Sequence, residues 1–201
     1  MMKKLLFAMM LCCAVPAMAQ NTWEMPEKAE VKSNPDEKYL AGAVPMEDGK
    51  VVFSTTIQAP GKRAAEIYAI VRQYMQQMIK EPNQFEQSRI VLDDSVGYKV
   101  VGSYQEWLVF KSTALTLDRT RFLYTLMADC TDGQAKLTLT RIVYLYEEER
   151  DPQTLKAEEW ITDEIGLNNK KTKLSRVAGK FRRKTIDRKD YLFDKIASLL
   201  K

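Results

Sequence analysis

After Lys80 the hydrophobic pattern of this 201-residue chain switches from helical spacing to alternation, and that switch limits which folds the chain can adopt. From Lys62 to Lys80 the apolar residues recur at spacings of three and four, which predicts one amphipathic helix that Pro82 closes. Its apolar stripe consists of Ile67, Ile70, Val71, Tyr74, Met75, Met78 and Ile79. Because a stripe of this length has to be buried, the helix requires a second layer to pack against.

Strand-like segments on both sides of the helix supply that layer. Before it, residues 51–57 are rich in β-branched side chains and end at Pro60-Gly61. After it the apolar residues alternate, which predicts four further strands: Ser88–Asp93, Tyr98–Phe110, Arg121–Cys130 and Lys136–Tyr146. Consecutive strands of this kind form an antiparallel sheet.

Local signals refine these strands. A break in alternation near Glu106-Trp107 predicts a bulge, and Leu117–Thr120 is predicted to be a polar break between strands. Asp132-Gly133 predicts a tight hairpin turn, because both residues tolerate positive φ angles. The inner face of the strand before that turn is predicted to be Phe122, Tyr124, Leu126, Ala128 and Cys130.

The last part of the chain, residues 151–201, is charged and is predicted to be helical. One short helix is expected at Ala157–Ile165 and a second at 187–200, with Ile186, Phe193, Ile196, Ala197 and Leu200 along one side. The element order β-α-β-β-β-β-α predicts an α+β domain whose helices cover one face of an antiparallel sheet.

The first 19 residues have the features of a signal peptide. Lys3 and Lys4 precede a short uncharged apolar run, and Ala17-Met18-Ala19 is followed by Gln20, which becomes the first residue after cleavage. The apolar run is about half the length that a membrane-spanning helix needs, so no transmembrane segment is expected after cleavage. We expect residues 20–40 to be a flexible leader and residues 41–201 to be a single domain.

A lipid anchor at Cys12 or Cys13 is the alternative use of this segment. Lipoprotein processing requires a small residue before the modified cysteine, whereas Leu11 precedes Cys12. Soluble export without an anchor is therefore favoured.

Composition argues against most catalytic chemistry. The chain contains no histidine, which excludes Ser-His-Asp and Cys-His nucleophilic sites and histidine-bound zinc. After loss of the signal, Cys130 is the only cysteine, and we expect it to be a buried strand residue. Removal of residues 1–19 takes two of the 31 basic residues and no acid, leaving 29 against 27, so nucleic acid is not an expected partner. We expect no enzyme activity, no cofactor and no metal.

Several short motifs, taken in order, resemble an exported bacterial family of unknown function that is described as having a TBP-like fold. They cover most of residues 40–200: Gly49–Phe53 before the Ile67-Tyr68 helix, the Cys130–Gly133 hairpin, Ile142–Tyr146, and Gly179–Arg183 with Thr185-Ile186-Asp187. The resemblance implies a TBP-like fold and a periplasmic or surface location in a Gram-negative bacterium. It implies no catalytic residues and no DNA binding, because function belongs to sites and not to folds.

The strongest charge feature lies in residues 170–189. It contains ten basic residues and one acid, and its candidate anion patch is Lys180, Arg182, Arg183, Lys184 and Arg188. An anionic lipid or a glycan would suit such a patch. Residues 147–164 hold eight acids against two basic residues, so internal neutralisation is the favoured alternative.

Three weaker features complete the candidates. Asp94-Ser95-Val96 resembles a short O-glycosylation sequon, which makes Ser95 a candidate modification site. Trp107, Trp160, Tyr144 and Tyr146 either line a ligand groove or pack in the core, and packing is favoured. Asp93 with Asp94, and Asp129 with Asp132, fall where turns are predicted, and a turn role is favoured over metal binding.

These observations predict an exported, non-catalytic binding module of the cell envelope, whose partner is a protein, an anionic lipid or a glycan. The alternative is a carrier that holds a small apolar ligand between the sheet and the first helix.

Overall fold

The computed structural model describes residues 34–201, which form a seven-stranded antiparallel sheet with helices on one face. A short 3-10 helix at Glu37–Tyr39 precedes the sheet. The strands and helices are β1 (Met46–Glu47), β2 (Lys50–Gln58), α1 (Ala64–Met78), β3 (Arg89–Asp94), β4 (Lys99–Thr113), β5 (Thr116–Thr131), β6 (Gln134–Tyr146), β7 (Gln153–Lys156), α2 (Ala157–Trp160) and α3 (Gly179–Leu199). The strand order is β1-β2-β6-β5-β4-β3, and β7 also pairs with β6. The predicted α+β class and the antiparallel pairing are confirmed. The predicted strand-helix order holds for β2, α1, β3 to β6 and the C-terminal helices, and the short strands β1 and β7 were not predicted.

The core lies between the sheet and the two long helices. As predicted, the inner face of β5 is buried from Phe122 to Cys130, and α1 packs its stripe against the sheet. Ile67, Val71, Met75 and Met78 of α1 are all fully buried. Their burial supplies the apolar area that stabilises the two layers.

Strand β4 corrects the predicted bulge. Its inner face runs through Val100, Gly102, Tyr104, Glu106 and Leu108 without a change of phase. The register shift lies further along, between Val109 and Lys111. Glu106 looked like a break because it is charged, yet it points into the core, where Arg188 neutralises it.

The β4–β5 hairpin extends beyond its neighbours. Pairing continues as far as Thr113 and Thr116, whereas β3 pairs with β4 only up to Ser103 and β6 reaches only Thr120 of β5. The predicted polar break at Leu117–Thr120 is therefore wrong, because these residues belong to β5. A two-stranded ribbon accounts for their polarity, since it has no neighbouring strands to bury its side chains.

The turn between β5 and β6 holds the first turn of α1. The Ala64 N–H donates to Asp132 Oδ1 at 2.7 Å, and the Gly133 N–H donates to the carbonyl of Lys62 at 2.9 Å. A carboxylate at a helix N-terminus accepts an otherwise unpaired N–H and interacts favourably with the helix dipole. The predicted Asp132-Gly133 turn is confirmed and also caps a helix 68 residues earlier.

The C-terminal helices differ from the predicted boundaries. Helix α3 begins at Gly179 instead of residue 187, and α2 ends at Trp160 instead of Ile165. The sequence pattern missed the first two turns of α3 because Arg182 is fully buried despite its charge. Its guanidinium donates to the carbonyls of Tyr39, Leu40 and Ile161 and to Asp163.

The folded unit also begins earlier than the predicted boundary at residue 41. Tyr39 is buried and its hydroxyl donates to Asp187 Oδ1 at 2.7 Å, while Asp36 pairs with Arg183. Residues 36–40 therefore belong to the domain and not to a leader.

Candidate functional site

The most exposed apolar side chain in residues 34–201 lies at the tip of the β4–β5 ribbon. Leu115 is 98% exposed, and Leu117, on the returning strand, is 46% exposed. No sequence motif predicted this tip. Its only signal was a lone leucine between two alternating segments, in Thr113-Ala114-Leu115-Thr116. We call residues 110–119 the ribbon.

Lys180 anchors the base of the ribbon to α3. Its Nζ lies 2.7 Å from Asp118 Oδ2 and donates to the Tyr146 hydroxyl at 2.9 Å. The same ammonium group lies 4.7 Å from the ring centroid of Phe110 and 4.6 Å from that of Tyr146. Burial opposes the charge, but hydrogen bonds to Asp118 and Tyr146 outweigh it and raise the pKa of Lys180. The ribbon is thus held by a cation, a carboxylate and aromatic faces.

A groove of about 360 Å³ runs between the ribbon base and the start of α3. Phe110 and Leu174 give it apolar walls, and three basic side chains contribute to the remaining lining. The lining residues are Phe110, Leu174, Ser175, Gly179, Lys180, Arg183 and Lys184. This groove joins the ribbon to the loop that precedes α3.

That loop, residues 169–178, carries exposed basic side chains. Within residues 34–201, no carboxylate forms an ion pair with Lys170, Lys173 or Arg176, all of which are exposed. Val177, in the same loop, is 58% exposed. We call residues 169–178 the basic loop, and the basic loop and the ribbon together the ribbon end.

A second groove, of about 230 Å³, lies on the other face of the ribbon base. There the Arg119 guanidinium lies 3.7 Å from the Trp107 ring centroid, and the Phe85 ring packs on Trp107 at 4.9 Å. Arg121 stacks on Phe85 and pairs with Glu148. Cation–π contacts therefore already occupy these aromatic faces. The groove is edged by Glu147, Glu148 and Glu149.

The predicted anion patch is divided by the fold. Arg182 and Arg188 are fully buried, and they pair with Asp163 and Glu106. They form no part of a surface patch, because their guanidinium groups are used inside the domain. The other three residues remain near the surface: Lys180 pairs with Asp118, Arg183 pairs with Asp36, and Lys184 lines the first groove.

The four aromatic residues proposed for a single groove do not come together. Trp107 lies on the uncovered face of the sheet, whereas Tyr144, Tyr146 and Trp160 surround Phe181 on the helix side. Tyr144 is fully buried, and its hydroxyl is 2.6 Å from Thr185 Oγ1. Three of the four therefore pack as the core interpretation predicts.

The aspartates fill structural roles. Asp94 Oδ1 accepts the N–H groups of Val96 and Gly97 in the β3–β4 turn, and Asp129 pairs with Lys99 at 2.8 Å. Asp93 accepts a hydrogen bond from Tyr68, and this bond, together with the Arg72 guanidinium, lowers the pKa of the Asp93 carboxyl. No group of three or more potential metal-ligating residues occurs in residues 34–201.

The remaining candidates are single positions. Ser95 is exposed at the β3–β4 turn, beside a groove between α1 and β3. Cys130 is buried, as expected. Ala19 and Gln20 lie outside the described residues. Within residues 34–201, no helix combines the length and apolar character that crossing a membrane requires.

The chain matches, over residues 53–145, the family model described as a domain of unknown function (DUF4468) with TBP-like fold. No curated protein matches this chain. It is similar to a DUF4468 family protein from Bacteroides ovatus ATCC 8483, with 43% identity and a TM-score of 0.78, over 84% of this chain and 96% of that one. A TBP-like protein from Parabacteroides distasonis ATCC 8503 shares the fold, with a TM-score of 0.60 at 18% identity, over 78% of this chain and 96% of that one. The chain therefore belongs to the DUF4468 family, whose domain has a TBP-like fold and no known function.

Proposed function

We propose that this protein is an exported, non-catalytic binding module of the Gram-negative cell envelope, and that the ribbon end is its binding surface. The observation that carries the proposal is the ribbon tip, where Leu115 is 98% exposed on a hairpin that extends beyond the sheet. An isolated two-stranded hairpin gains little stability in water, so a long projection with an apolar tip favours a contact with something outside the domain.

The structural roles of three acids support a binding function over catalysis. Glu106 is neutralised by Arg188 in the core, and Asp132 caps α1. Asp118 holds Lys180 at the ribbon base. Each of these carboxylates already has a structural partner, so none is poised as a general acid or base.

The space between the sheet and α1 supports a packed core more than a carrier. Met75, Tyr104 and Leu126 are fully buried there, and the Tyr104 hydroxyl donates to the Met75 carbonyl at 2.9 Å. An apolar ligand would have to displace these side chains, so the packing favours a surface binding module over a carrier.

Site-specific photo-crosslinking in intact cells tests the binding surface. A photoreactive amino acid replaces Leu115 in one strain and Val91 in a control strain. Val91 is 50% exposed, but it lies in β3, which pairs with β4 only up to Ser103 and does not reach the ribbon. We expect a discrete adduct from position 115 alone, and its yield should fall when unlabelled protein is overexpressed. Equal adducts from both positions, or none from position 115, would contradict the proposal.

Mass spectrometry of the protein from its native host tests export and modification. We expect an N-terminus at Gln20, which indicates cleavage after Ala19. Ser95 is exposed, as a modification site must be, and we propose that it carries an O-linked glycan. An intact N-terminus or an unmodified Ser95 peptide would reject the corresponding proposal.

A further inference from the structure

We propose that the ribbon end contacts a bilayer surface that carries anionic phosphate headgroups. This inference rests on the proposed function, since it names the partner of the same surface. Two independent features carry it: uncompensated positive charge in the basic loop, and apolar side chains that project beside that charge.

The positive charge available to a partner is the charge that remains after the basic residues with ion pairs inside the domain are excluded. Residues 170–184 contain basic side chains and no acid. Four of them form ion pairs within the domain: Lys171 with Glu164, Lys180 with Asp118, Arg182 with Asp163, and Arg183 with Asp36. Lys170, Lys173 and Arg176 are exposed and lack such a pair within residues 34–201. They lie within seven consecutive residues, so the positive charge is concentrated in one exposed segment.

Apolar side chains project from the same end of the domain. Leu115 at the ribbon tip and Val177 in the basic loop are 98% and 58% exposed. The groove that contains Phe110 at the ribbon base also contains Leu174 and Ser175 of the basic loop, so the two segments are neighbours. Projecting apolar side chains enter the boundary between headgroups and acyl chains, while nearby lysine and arginine side chains contact the phosphates.

The distribution of charge gives this contact one orientation. On the other face of the ribbon base, Glu147 pairs with Arg150 and Glu148 pairs with Arg121. That face therefore offers an anionic bilayer no attraction comparable to that of the basic loop. The basic side chains are spread along an exposed loop and do not converge on an enclosed site, which suits an array of headgroups more than a single soluble anion.

Vesicle flotation tests the proposal with the purified full-length exported protein. One set of vesicles contains phosphatidylcholine alone, and the other contains phosphatidylcholine with 30% phosphatidylglycerol. We expect flotation with the anionic vesicles and little with the neutral ones, and we expect it to weaken strongly between low and high salt. Equal flotation with both sets, or none with either, would overturn the proposal.

Matched variants distinguish binding through the ribbon end from non-specific adsorption to the vesicles. Lys173→Gln with Arg176→Gln should weaken binding by about fivefold per residue removed, the usual contribution of one basic side chain at an anionic membrane surface. Leu115→Ser should weaken it as well, because the apolar contact is lost. The controls are Lys136→Gln and Val96→Ser, both exposed in the wild type and away from the ribbon end, and they should bind like the wild type. Circular dichroism establishes that every variant is folded.

Two further results distinguish the sources of binding. Titration with inorganic phosphate, followed by NMR, should leave the basic loop almost unchanged, and saturable shifts there at millimolar phosphate would overturn the membrane proposal in favour of a soluble anion. A protein adduct from position 115, combined with no vesicle binding, would overturn this inference and leave the proposed function intact. A lipid adduct from that position would support both.

Discussion

Glu106 and Arg188 form an ion pair in the core, with Arg188 Nε 2.7 Å from Glu106 Oε1 and Nη2 2.8 Å from Oε2. Both side chains have 0% exposure. Burial opposes the charge on Arg188, but the attraction of Glu106 outweighs it and raises the pKa of the guanidinium above its ordinary value. Asn83 and Gln84 also donate to Glu106 Oε2, so the carboxylate is well satisfied. The pair joins α3 to the sheet at one fixed register.

Removing one partner of this ion pair should destabilise the protein more than replacing both partners with apolar side chains. Arg188→Met should lower the free energy of unfolding by about 3–5 kcal/mol, because it leaves a carboxylate buried without its counter-charge. The double variant Glu106→Leu, Arg188→Met should recover most of that loss. Urea unfolding measures both. Lys99→Ala, which breaks an exposed pair with Asp129, is the control and should leave the midpoint near the wild-type value. A double variant as unstable as the single one would contradict this account.

Gly102 should tolerate no side chain. A Cβ atom there would lie 2.4 Å from a ring carbon of Tyr104, which is fully buried and bonded to the Met75 carbonyl. Gly102→Ala should therefore destabilise the protein by about 1–3 kcal/mol through overpacking. Ser103→Ala, on the opposite face of the same strand, should change the thermal midpoint little. Equal midpoints for the two variants would show that the ring can move aside.

Asp132, in the β5–β6 turn, should stabilise the first turn of α1. Asp132→Ala removes the acceptor for the Ala64 N–H and should lower the free energy of unfolding by about 0.5–2 kcal/mol, as loss of an N-cap does. Hydrogen exchange of the first turn of α1 should become faster. Asp129→Ala, in the strand that leads into this turn and paired only at the surface, should leave that exchange unchanged. Faster exchange in both variants would assign the effect to the hairpin and not to the cap.

Stability should fall at alkaline pH, in part through Cys130. Burial, with a smaller contribution from Asp129, raises the pKa of the Cys130 thiol to about 11 from 9.0. The folded state therefore holds a proton that the unfolded state has lost, and the stabilisation present below pH 9 disappears as the pH rises toward 11. Urea unfolding between pH 8 and pH 11 measures the slope. Cys130→Ala should reduce the pH dependence of the unfolding free energy by the equivalent of up to one proton. An unchanged slope would show that the thiol does not contribute.

Periodicity predicted those helices and strands in which apolar side chains occupy the buried face and polar side chains the exposed face. The stripe from Ile67 to Ile79 predicted α1, and the alternation from Phe122 to Cys130 predicted the inner face of β5, because each segment has one buried face. The rule failed where charge is buried. Glu106 suggested a break in β4, and Arg182 concealed the first turns of α3, since their partners lie far away in the chain.

The candidate surface was only partly accessible from the sequence for the same reason. The density of positive charge in residues 170–189 was visible, but its division into buried and exposed residues was not. Arg188 is buried because Glu106, 82 residues earlier, points toward it, and no local pattern carries that information. Leu115 was missed because an exposed leucine and a buried leucine look alike in a short segment.

The hydrogen bonds of Arg182 set the order in which the domain can be completed. This side chain, in α3, binds the carbonyls of Tyr39 and Leu40, which lie 143 and 142 residues earlier. Closure over such a separation is slow, since the entropy of a long loop is lost before the contacts form. Tyr39 and Leu40 therefore gain these contacts only after α3 has been synthesised. A ribosome that has released only the sheet holds a molecule in which the two carbonyls still lack their partner in α3.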